Sequence, residues 1–425
     1  MVSKLKIFHI FFGFIVFGVL MLSPYLEWPV SFVAGQWMAA AVLVFFSTKI
    51  FIFKKFALRV NKFFISILIS LMLYPCLVGM VAYQTIDAGL LKMNLSVIVM
   101  ISIGAFVTAE YSRKLDFTYL VTLIAKLYIC VIALNSVIII FEYLDPSFRV
   151  LVESFLRSEM KTDYLGGFRY RGIASAGGAN LSVAHGMAGV ISLLLWKNNQ
   201  LSGLSVLVTV ILTSSSLVFI GRTGFVILAF GSLLVMVTRG SRNYSMLSQF
   251  FGVVVLTTMI SFMLNYLLDD LPIFYKIYSI DLFSNGFQGF QDEGTVGAVF
   301  NFYNFPDHLP KLLFGVGNFS GGYELGYAYP SDPGFVKMAT AYGFIITPLL
   351  YCGLFLWIYA APRGLLRSII MLLFLMLMVG ELKEPFLLKG YSSRLFWFMV
   401  GVMLQQQNRL LRMPKRKTRW GDVSF

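Results

Sequence analysis

Charged residues are scarce in this sequence. Lys, Arg, Asp and Glu make up 13% of its 425 residues, hydrophobic residues make up 58%, and the mean hydropathy is +0.80. This balance leaves too little polar surface to cover a water-soluble protein. The apolar runs are continuous and not alternating, which also excludes a transmembrane barrel. The sequence therefore predicts an all-α polytopic integral membrane protein, with one membrane domain over residues 1–425.

Cysteine is equally rare. Cys76, Cys130 and Cys352 fall inside apolar runs and lack paired spacing. This pattern argues against a disulfide framework or a metal site and favours small buried residues. The chain also has no phosphate-cradling P-loop. We expect neither a metal nor a cofactor.

Twelve apolar segments are long enough to cross a bilayer. They lie at residues 7–24, 30–50, 63–83, 93–110, 117–141, 181–197, 201–219, 224–238, 246–268, 335–360, 368–384 and 394–407. The first is too long for a signal-peptide core and lacks a small-residue cleavage site, so we expect an uncleaved anchor. Apolar spacing near residues 150–160 predicts an additional short helix on the membrane surface.

Basic residues set the orientation. They cluster after the second, eighth and tenth helices and in the tail at 408–425. The positive-inside rule assigns these segments to the cytoplasm, and twelve crossings bring both termini there. The net charge of +14 is therefore explained by loops that face anionic lipid headgroups, and nucleic acid is not an expected partner.

Two outer connections are long, at residues 142–180 and 269–334, and long loops in compact proteins usually carry function. The second has 2 lysines against 8 acidic residues, a net charge of −6. It also holds a glycine-aromatic segment at 314–323, followed by a turn at 331–334. Its tyrosine, asparagine and aspartate residues suit stacking on a sugar ring and hydrogen bonding to its hydroxyls.

Arginine on the outer face runs against the charge bias. Arg222 lies in the turn Gly221-Arg222-Thr223-Gly224 between the seventh and eighth helices. Arg169 and Arg171 belong to the segment Arg169-Tyr170-Arg171-Gly172 in the first long loop. An arginine in such a position indicates an anionic substrate.

These motifs, in this order on a chain of twelve helices, resemble the O-antigen polymerase and ligase superfamily. Its Wzy-like members are membrane glycosyltransferases that use lipid-linked oligosaccharides. The resemblance is architectural across nearly the whole chain. It rests on residues 169–172, 221–224, 314–317 and 331–334. It implies a GT-C-like fold in the bacterial inner membrane, a periplasmic active site, and a glycan on undecaprenyl pyrophosphate as substrate. A chain-length regulator is an implied partner.

The implied chemistry assigns roles to single residues. The departing lipid pyrophosphate needs fixed positive charge, for which the planar, permanently charged fork of arginine is suited. We therefore expect Arg171 and Arg222 to form a clamp. A proton must leave the attacking sugar hydroxyl, and His308 or Asp332 is the candidate acceptor. Further substrate contacts are expected from Arg169, His185, Tyr323, Tyr329 and Arg394.

Simpler roles compete with these. Arg222 can cap a hairpin, Arg171 can form a salt bridge within its own loop, and His185 can be a packing residue. His308 can be a solvated loop histidine, and Asp332 can serve an ordinary turn. For the whole protein, an O-antigen ligase that transfers the glycan to lipid A core remains open. So does a flippase or other transporter, although we find no internal repeat or paired interrupted helices.

Overall fold

The computed structural model describes residues 13–26, 32–53, 70, 73–81, 84, 86–112, 115–156, 170–175, 177–221, 223–237, 308–319 and 333–412. Within these residues the chain is nearly all-α. Two short strands, β1 (Tyr25–Leu26) and β2 (Phe32–Val33), pair antiparallel between the first two helices.

The described helices are, in chain order, α1 (Gly13–Leu22), α2 (Ala34–Phe53), α3 (73–81), α4 (Ala88–Tyr111), α5 (Phe117–Leu144), α6 (Pro146–Phe155), α7 (Ala179–Lys197), α8 (Gly203–Ile220), α9 (Thr223–Val237), α10 (Leu309–Phe314), α11 (Gly334–Ala360), α12 (Leu365–Gly380) and α13 (Gly390–Arg412).

Five of these helices, α4, α5, α7, α8 and α11, are long and apolar enough to cross a membrane. Shorter apolar helices include α1, α9 and α12. The chain is thus a multi-pass membrane protein. The segments predicted at 7–24 and 63–83 are described only in part, and the segment predicted at 246–268 lies outside the described residues.

The first long loop begins later than the sequence suggested. Helix α5 continues to Leu144, and α6 starts after one intervening residue, Asp145. The Asp145 carboxylate caps α6 by accepting a hydrogen bond from the Ser147 backbone N–H at 2.8 Å, and Pro146 occupies the first turn. A short helix is therefore present near the predicted position, but these start signals place it at Pro146–Phe155.

Helix α12 ends earlier than predicted. It stops at Gly380, and residues 381–389 form a turn that leads into α13. Pro385 explains the early end, because proline lacks a backbone N–H and disfavours helical geometry in the residue before it. Four residues expected inside a helix are thereby available to contact neighbouring helices.

Helix α7 lies at the centre of the bundle. Every residue from 181 to 197 is buried, and α5, α8, α9, α12 and α13 all pack against it. Among the described helices, α4 and α13 make the most extensive contact with each other. Gly104 lies on the backbone of Phe398, and Gly401 lies on the backbone of Ile101, so a side chain at either glycine would overlap main-chain atoms. Small residues allow such close packing within membranes.

The three cysteines are free. Cys130 and Cys352 are exposed on α5 and α11, which corrects the expectation that they are buried. Both belong to candidate membrane spans, where an exposed apolar side chain faces lipid.

Candidate functional site

The Tyr170–Ser175 segment enters the bundle between helices. The backbone N–H of Tyr170 donates to the Phe219 carbonyl at the end of α8 (3.2 Å), and that of Ala174 donates to the Arg171 carbonyl (3.2 Å). Gly172 has φ +57°, and a Cβ there would overlap the Asn135 side chain. Only glycine meets both demands without strain. The local sequence thus brings Arg171 inside the fold.

Polar side chains of α5 hold this segment. The Asn135 Oδ1 accepts from the Ile173 backbone N–H (2.9 Å), and its Nδ2 donates to the Arg171 carbonyl (3.3 Å). Two turns further along α5, the Glu142 carboxylate accepts from the Gly172 N–H (3.1 Å). Both side chains are buried. Buried polar groups are stable only when they are hydrogen-bonded, so each of these contacts fixes the path of the segment.

Arg171 is 7% exposed. Its Nη2 donates to the Leu156 carbonyl at the end of α6 (2.9 Å), and its Nη1 donates to the Ser175 carbonyl (3.2 Å). Burial lowers the pKa of Arg171, while the carboxylates of Glu153 and Glu142 act in the opposite direction. The guanidinium keeps its charge because the ordinary pKa of arginine is so high. The site therefore contains an oriented, nearly buried positive charge.

His185 lies on α7, is fully buried, and contacts the same Asn135 side chain that holds the segment. Because the Ile173 N–H can only donate, it fixes the Asn135 amide so that Nδ2 faces the His185 Nε2 at 3.2 Å. The Nε2 must then accept, which leaves the proton on Nδ1. This nitrogen lies 3.0 Å from Ser136 Oγ and 2.8 Å from Ser216 Oγ. In this arrangement His185 is a neutral imidazole that joins α5, α7 and α8.

Arg394 belongs to the same network. The Ser175 and Tyr391 hydroxyls are hydrogen-bonded at 2.5 Å, and the Arg394 guanidinium lies 5.2 Å from the Tyr391 ring centroid. The Nη1 of Arg394 also donates to the Leu20 and Met21 carbonyls, at 3.0 and 2.9 Å. These are terminal carbonyls of α1, which lack partners within their own helix. Arg394 therefore caps α1 as well as facing Tyr391.

The α12–α13 turn closes the other side of the site. Lys383 Nζ donates to Thr223 Oγ1 at the start of α9 (3.2 Å). Asn180, in the first turn of α7, donates from Nδ2 to the Lys389 carbonyl (3.1 Å), and its Oδ1 accepts from the Ser392 backbone and hydroxyl. A single turn thereby joins the beginnings of α7, α9 and α13.

Glu381, at the start of this turn, is fully buried. It accepts from the Leu387 backbone N–H (2.5 Å) and the Tyr351 hydroxyl (3.1 Å). Burial is the main reason that the pKa of this carboxyl is raised to about 8, and the two hydrogen bonds oppose that rise. Within the same turn, Glu384 and Lys389 form an ion pair at 3.8 Å.

Arg222 lies outside the described residues, but both of its chain neighbours are described. Gly221 lies against Gly178 and Ser182 at the beginning of α7, and the Gly224 N–H donates to Ser182 Oγ at 3.2 Å. The two ends of the predicted arginine turn are therefore fixed beside α7. Arg169, Tyr323, Tyr329 and Asp332 also lie outside the described residues.

His308 is located on a different part of the fold. It is exposed at the start of α10, where its side chain makes no capping hydrogen bond, and α10 packs against α11. Arg171, His185 and Arg394 instead share the network of α5, α7 and α13. The structure thus brings three of the nine predicted site residues together and positions a fourth elsewhere.

The glycine-aromatic segment is packed inside the protein over residues 315–319. The backbone N–H groups of Val316 and Gly317 donate to the Thr340 and Ala341 carbonyls (2.7 and 3.1 Å), next to a break in α11 at Gly343. The Phe319 N–H donates to Asp87 Oδ2 at 2.6 Å. Because Val316 and Phe319 are buried, this part of the segment is not a surface for sugar stacking.

Sequence considerations missed Asn135, Glu142 and Tyr391. Asn135 and Glu142 are seven residues apart, so they share one face of α5, and both are polar within a membrane span. Polar residues in such helices usually face the bundle interior and mark functional regions, and this signal was available. The role of Tyr391 depends on a contact with Ser175, 216 residues away, which local spacing does not reveal.

The described residues contain no group of three or more His, Cys, Asp or Glu side chains arranged for a metal ion. The contacts of Arg171, Arg394 and Lys383 make the site a cationic, hydrogen-bonded junction of helix ends. The chain matches no protein-family model, and no curated protein or solved structure is significantly similar to it.

Proposed function

We propose that this protein is a membrane glycosyltransferase that polymerises oligosaccharide repeat units linked to undecaprenyl pyrophosphate. In this proposal it crosses the bacterial inner membrane twelve times in a GT-C-like arrangement, with both termini in the cytoplasm. The junction around Arg171 then faces the periplasm.

The observation that carries the proposal is the contact between the two arginine segments. Tyr170, which precedes Arg171, is hydrogen-bonded to Phe219, three residues before Arg222. The sequence assigned both arginines to one anionic group, although 51 positions separate them. Their adjoining main chains support that assignment.

Arg171 suits a leaving pyrophosphate. Two of its N–H groups are fixed by carbonyls, which hold the guanidinium plane in one orientation. Donors fixed in advance stabilise developing negative charge without reorganisation, and the effect is larger away from bulk water. Energy stored in the lipid-linked donor drives the transfer, so no nucleotide is needed. His308 and Asp332 remain the proposed proton acceptors.

One observation bears on the transporter alternative: α11 is interrupted at Gly343. Interrupted helices in transporters often supply carbonyls to a substrate. Here the Thr340 and Ala341 carbonyls beside the break accept from Val316 and Gly317. Because protein backbone occupies these carbonyls, the break favours a structural role. A ligase differs from a polymerase only in its acceptor, and both would use the same junction.

The test is reconstitution of the purified protein in liposomes with a lipid-linked repeat unit, followed by gel separation of the glycans. A ladder of multiples supports the polymerase. Transfer only to added lipid A core indicates the ligase, and the same lipid-linked sugar crossing the bilayer without a new glycosidic bond indicates the transporter.

Arginine variants test whether Arg171 and Arg222 take part in polymerisation. We expect Arg171→Ala and Arg222→Ala to abolish the ladder while the protein still reaches the membrane. Arg367→Ala is the control, because Arg367, like Arg171, donates to a backbone carbonyl, that of Ala361 (3.3 Å), but follows the tenth predicted helix on the cytoplasmic side. Equal loss with Arg367→Ala would show that the effect is structural.

A further inference from the structure

Helix α6 begins where a membrane span ends. Only Asp145 separates it from α5, so the chain has no length with which to leave the membrane surface. None of its ten residues is buried. A helix at this position must therefore contact solvent, lipid or both.

The three sides of α6 differ in chemistry. Phe148, Leu151 and Phe155 share one face, because they are spaced three and four residues apart. Leu151 is 54% exposed and Phe155 is 61% exposed. Ser147, Val150 and Ser154 form the adjacent face. Arg149 and Glu153 form the third and pair at 3.0 Å.

The Arg149 side faces the protein. Its guanidinium lies 4.8 Å from the centroid of the Tyr170 ring, beside the segment that carries Arg171. The charged side of α6 therefore contacts the protein, whereas its large apolar side chains are exposed on the outside. Such an arrangement is unfavourable if water surrounds the helix, since the apolar face stays hydrated.

The outward apolar face continues onto α5. The Phe148 and Phe141 rings are in contact, with centroids 6.0 Å apart. Phe141 is 53% exposed and Leu134, two turns deeper, is 46% exposed on the same stripe of a membrane span. Exposed apolar residues on such a span face acyl chains. The face of α6 is the end of this lipid-contacting stripe.

The far end of α6 is joined to Arg171. The Leu156 carbonyl, one residue beyond the helix, accepts from Arg171 Nη2 at 2.9 Å, and Leu156 also pairs with Leu26 of β1. Movement of α6 away from the membrane would therefore pull on the main chain that orients the guanidinium.

We infer that α6 is a lipid-embedded anchor whose Phe148, Leu151 and Phe155 lie among the acyl chains of one leaflet and thereby hold Arg171 in place. The partner is the bilayer itself. The anchoring is independent of the proposed activity, whereas any effect on polymer formation rests on the proposed function.

Spin labels test the lipid contact in full-length protein in nanodiscs of phosphatidylethanolamine and phosphatidylglycerol. Cys76, Cys130 and Cys352 are first replaced by serine, and single labels are attached through Leu151→Cys, Phe155→Cys, Val150→Cys or Ser154→Cys. We expect labels at 151 and 155 to collide more with oxygen than with a water-soluble nickel chelate, as a label at Leu134→Cys does. We expect the reverse at 150 and 154. Greater nickel access at 151 and 155 would overturn the inference.

Trypsin tests the connection to Arg171 without any enzyme assay. Cleavage after Arg171 requires local opening of the segment, and mass spectrometry counts the peptides that begin at Gly172. We expect the double variant Leu151→Ser/Phe155→Ser to raise this cleavage about tenfold. The control Val150→Ser changes an apolar residue that is 68% exposed on the adjacent face, and it should leave the cleavage unchanged. Equal cleavage in the two variants would disprove the connection. If wild-type protein forms no ladder, the proposed function fails, but both of these measurements still decide the inference.

Discussion

Two irregular segments penetrate the bundle, and they are held by different groups. The Tyr170–Ser175 segment is held largely by side chains, with Asn135 and Glu142 bonding its backbone. The 315–319 segment is held by the main chain of α11 and by the capping carboxylate Asp87. Side-chain hydrogen bonds can hold a charged residue in one orientation. Close contacts between main chains instead require glycine, because they leave no room for a Cβ atom. The Tyr170–Ser175 segment is therefore the better candidate for a functional role, and the 315–319 segment for a structural one.

The largest effect is expected in the second segment. Gly317 has φ +69°, and a Cβ there would overlap the backbone of Pro75 and Gly79. Because backbone cannot move aside as a flexible side chain does, we expect Gly317→Ala to cost about 3 kcal/mol or more and to lower the yield of folded protein sharply. Size-exclusion chromatography of a fluorescent fusion in detergent measures this loss.

Gly353→Ala is the control for Gly317. It lies in α11, and a Cβ there meets nothing within 4 Å. We expect wild-type yield or slightly more, since alanine is the better helix former by about 1 kcal/mol. If both alanines lower the yield equally, the difference drawn between the two segments fails.

A buried asparagine lies near each of the two segments. Asn135→Ala leaves the Ile173 N–H and the His185 Nε2 without their partner, at a cost of about 1–3 kcal/mol. Asn94→Ala, near the other segment, removes a buried hydrogen bond to the Tyr342 hydroxyl (2.9 Å) and should cost a similar amount. Thermal melting in detergent compares the two variants.

Asn135→Ala and Asn94→Ala should differ in their effects on activity. Only Asn135→Ala removes a support of the segment that carries Arg171. We therefore expect the rate of ladder formation to fall about a hundredfold in that variant, because small misplacements of a positioning group have effects of that size. Asn94→Ala should reduce the rate only in proportion to the folded fraction. A proportional loss in both variants would show that Asn135 is merely structural.

The five helices that are long enough to cross a membrane all coincide with predicted apolar segments, because membrane spans are long apolar runs. Sequence patterns also identified Arg171, His185 and Arg394, which the structure joins through Asn135, Ser175 and Tyr391. The break in α11 was not predictable in this way, since hydropathy stays high across Gly343 and the helix resumes beyond it. Contacts such as Tyr170 with Phe219 depend on how helices pack, and spacing along one chain does not encode them.

Glu381 connects the two regions. Its carboxyl bonds Tyr351 of α11, its backbone carbonyl accepts from the Phe335 N–H (3.3 Å), and its turn carries Lys383 to Thr223. The Glu381 carboxyl has a pKa of 4.5 in the unfolded chain and about 8 in the folded protein, so folding favours its protonated form. The stabilisation from this group is fully present below pH 4.5 and is lost as the pH rises towards 8. The free energy of unfolding therefore decreases between these two pH values.

Glu381→Gln should remove this pH dependence. Glutamine stays neutral and retains an oxygen that can accept from the Leu387 N–H. We expect the wild-type melting temperature to fall by about 5 °C or more between pH 5.5 and pH 8, and that of the variant to change far less. Glu384→Gln, in the same turn but half-buried, is the matched control and should melt like the wild type. Parallel pH curves for wild type and Glu381→Gln would contradict the assignment.

The smallest effect is expected at Lys389, where the side chain and the backbone have separate roles. Its ammonium group is 3.8 Å from Glu384 and its side chain is about half exposed, so the pair contributes about 0.5 kcal/mol or less. Its backbone carbonyl, however, accepts from Asn180 Nδ2 and joins the start of α7 to α13. Lys389→Ala keeps that carbonyl and should leave both melting and ladder formation unchanged, whereas Asn180→Ala removes the donor and the acceptor for Ser392 and should lower both. If Lys389→Ala alone reduced ladder formation, the exposed charge would itself contact the substrate, and the cationic junction would extend beyond its buried arginines.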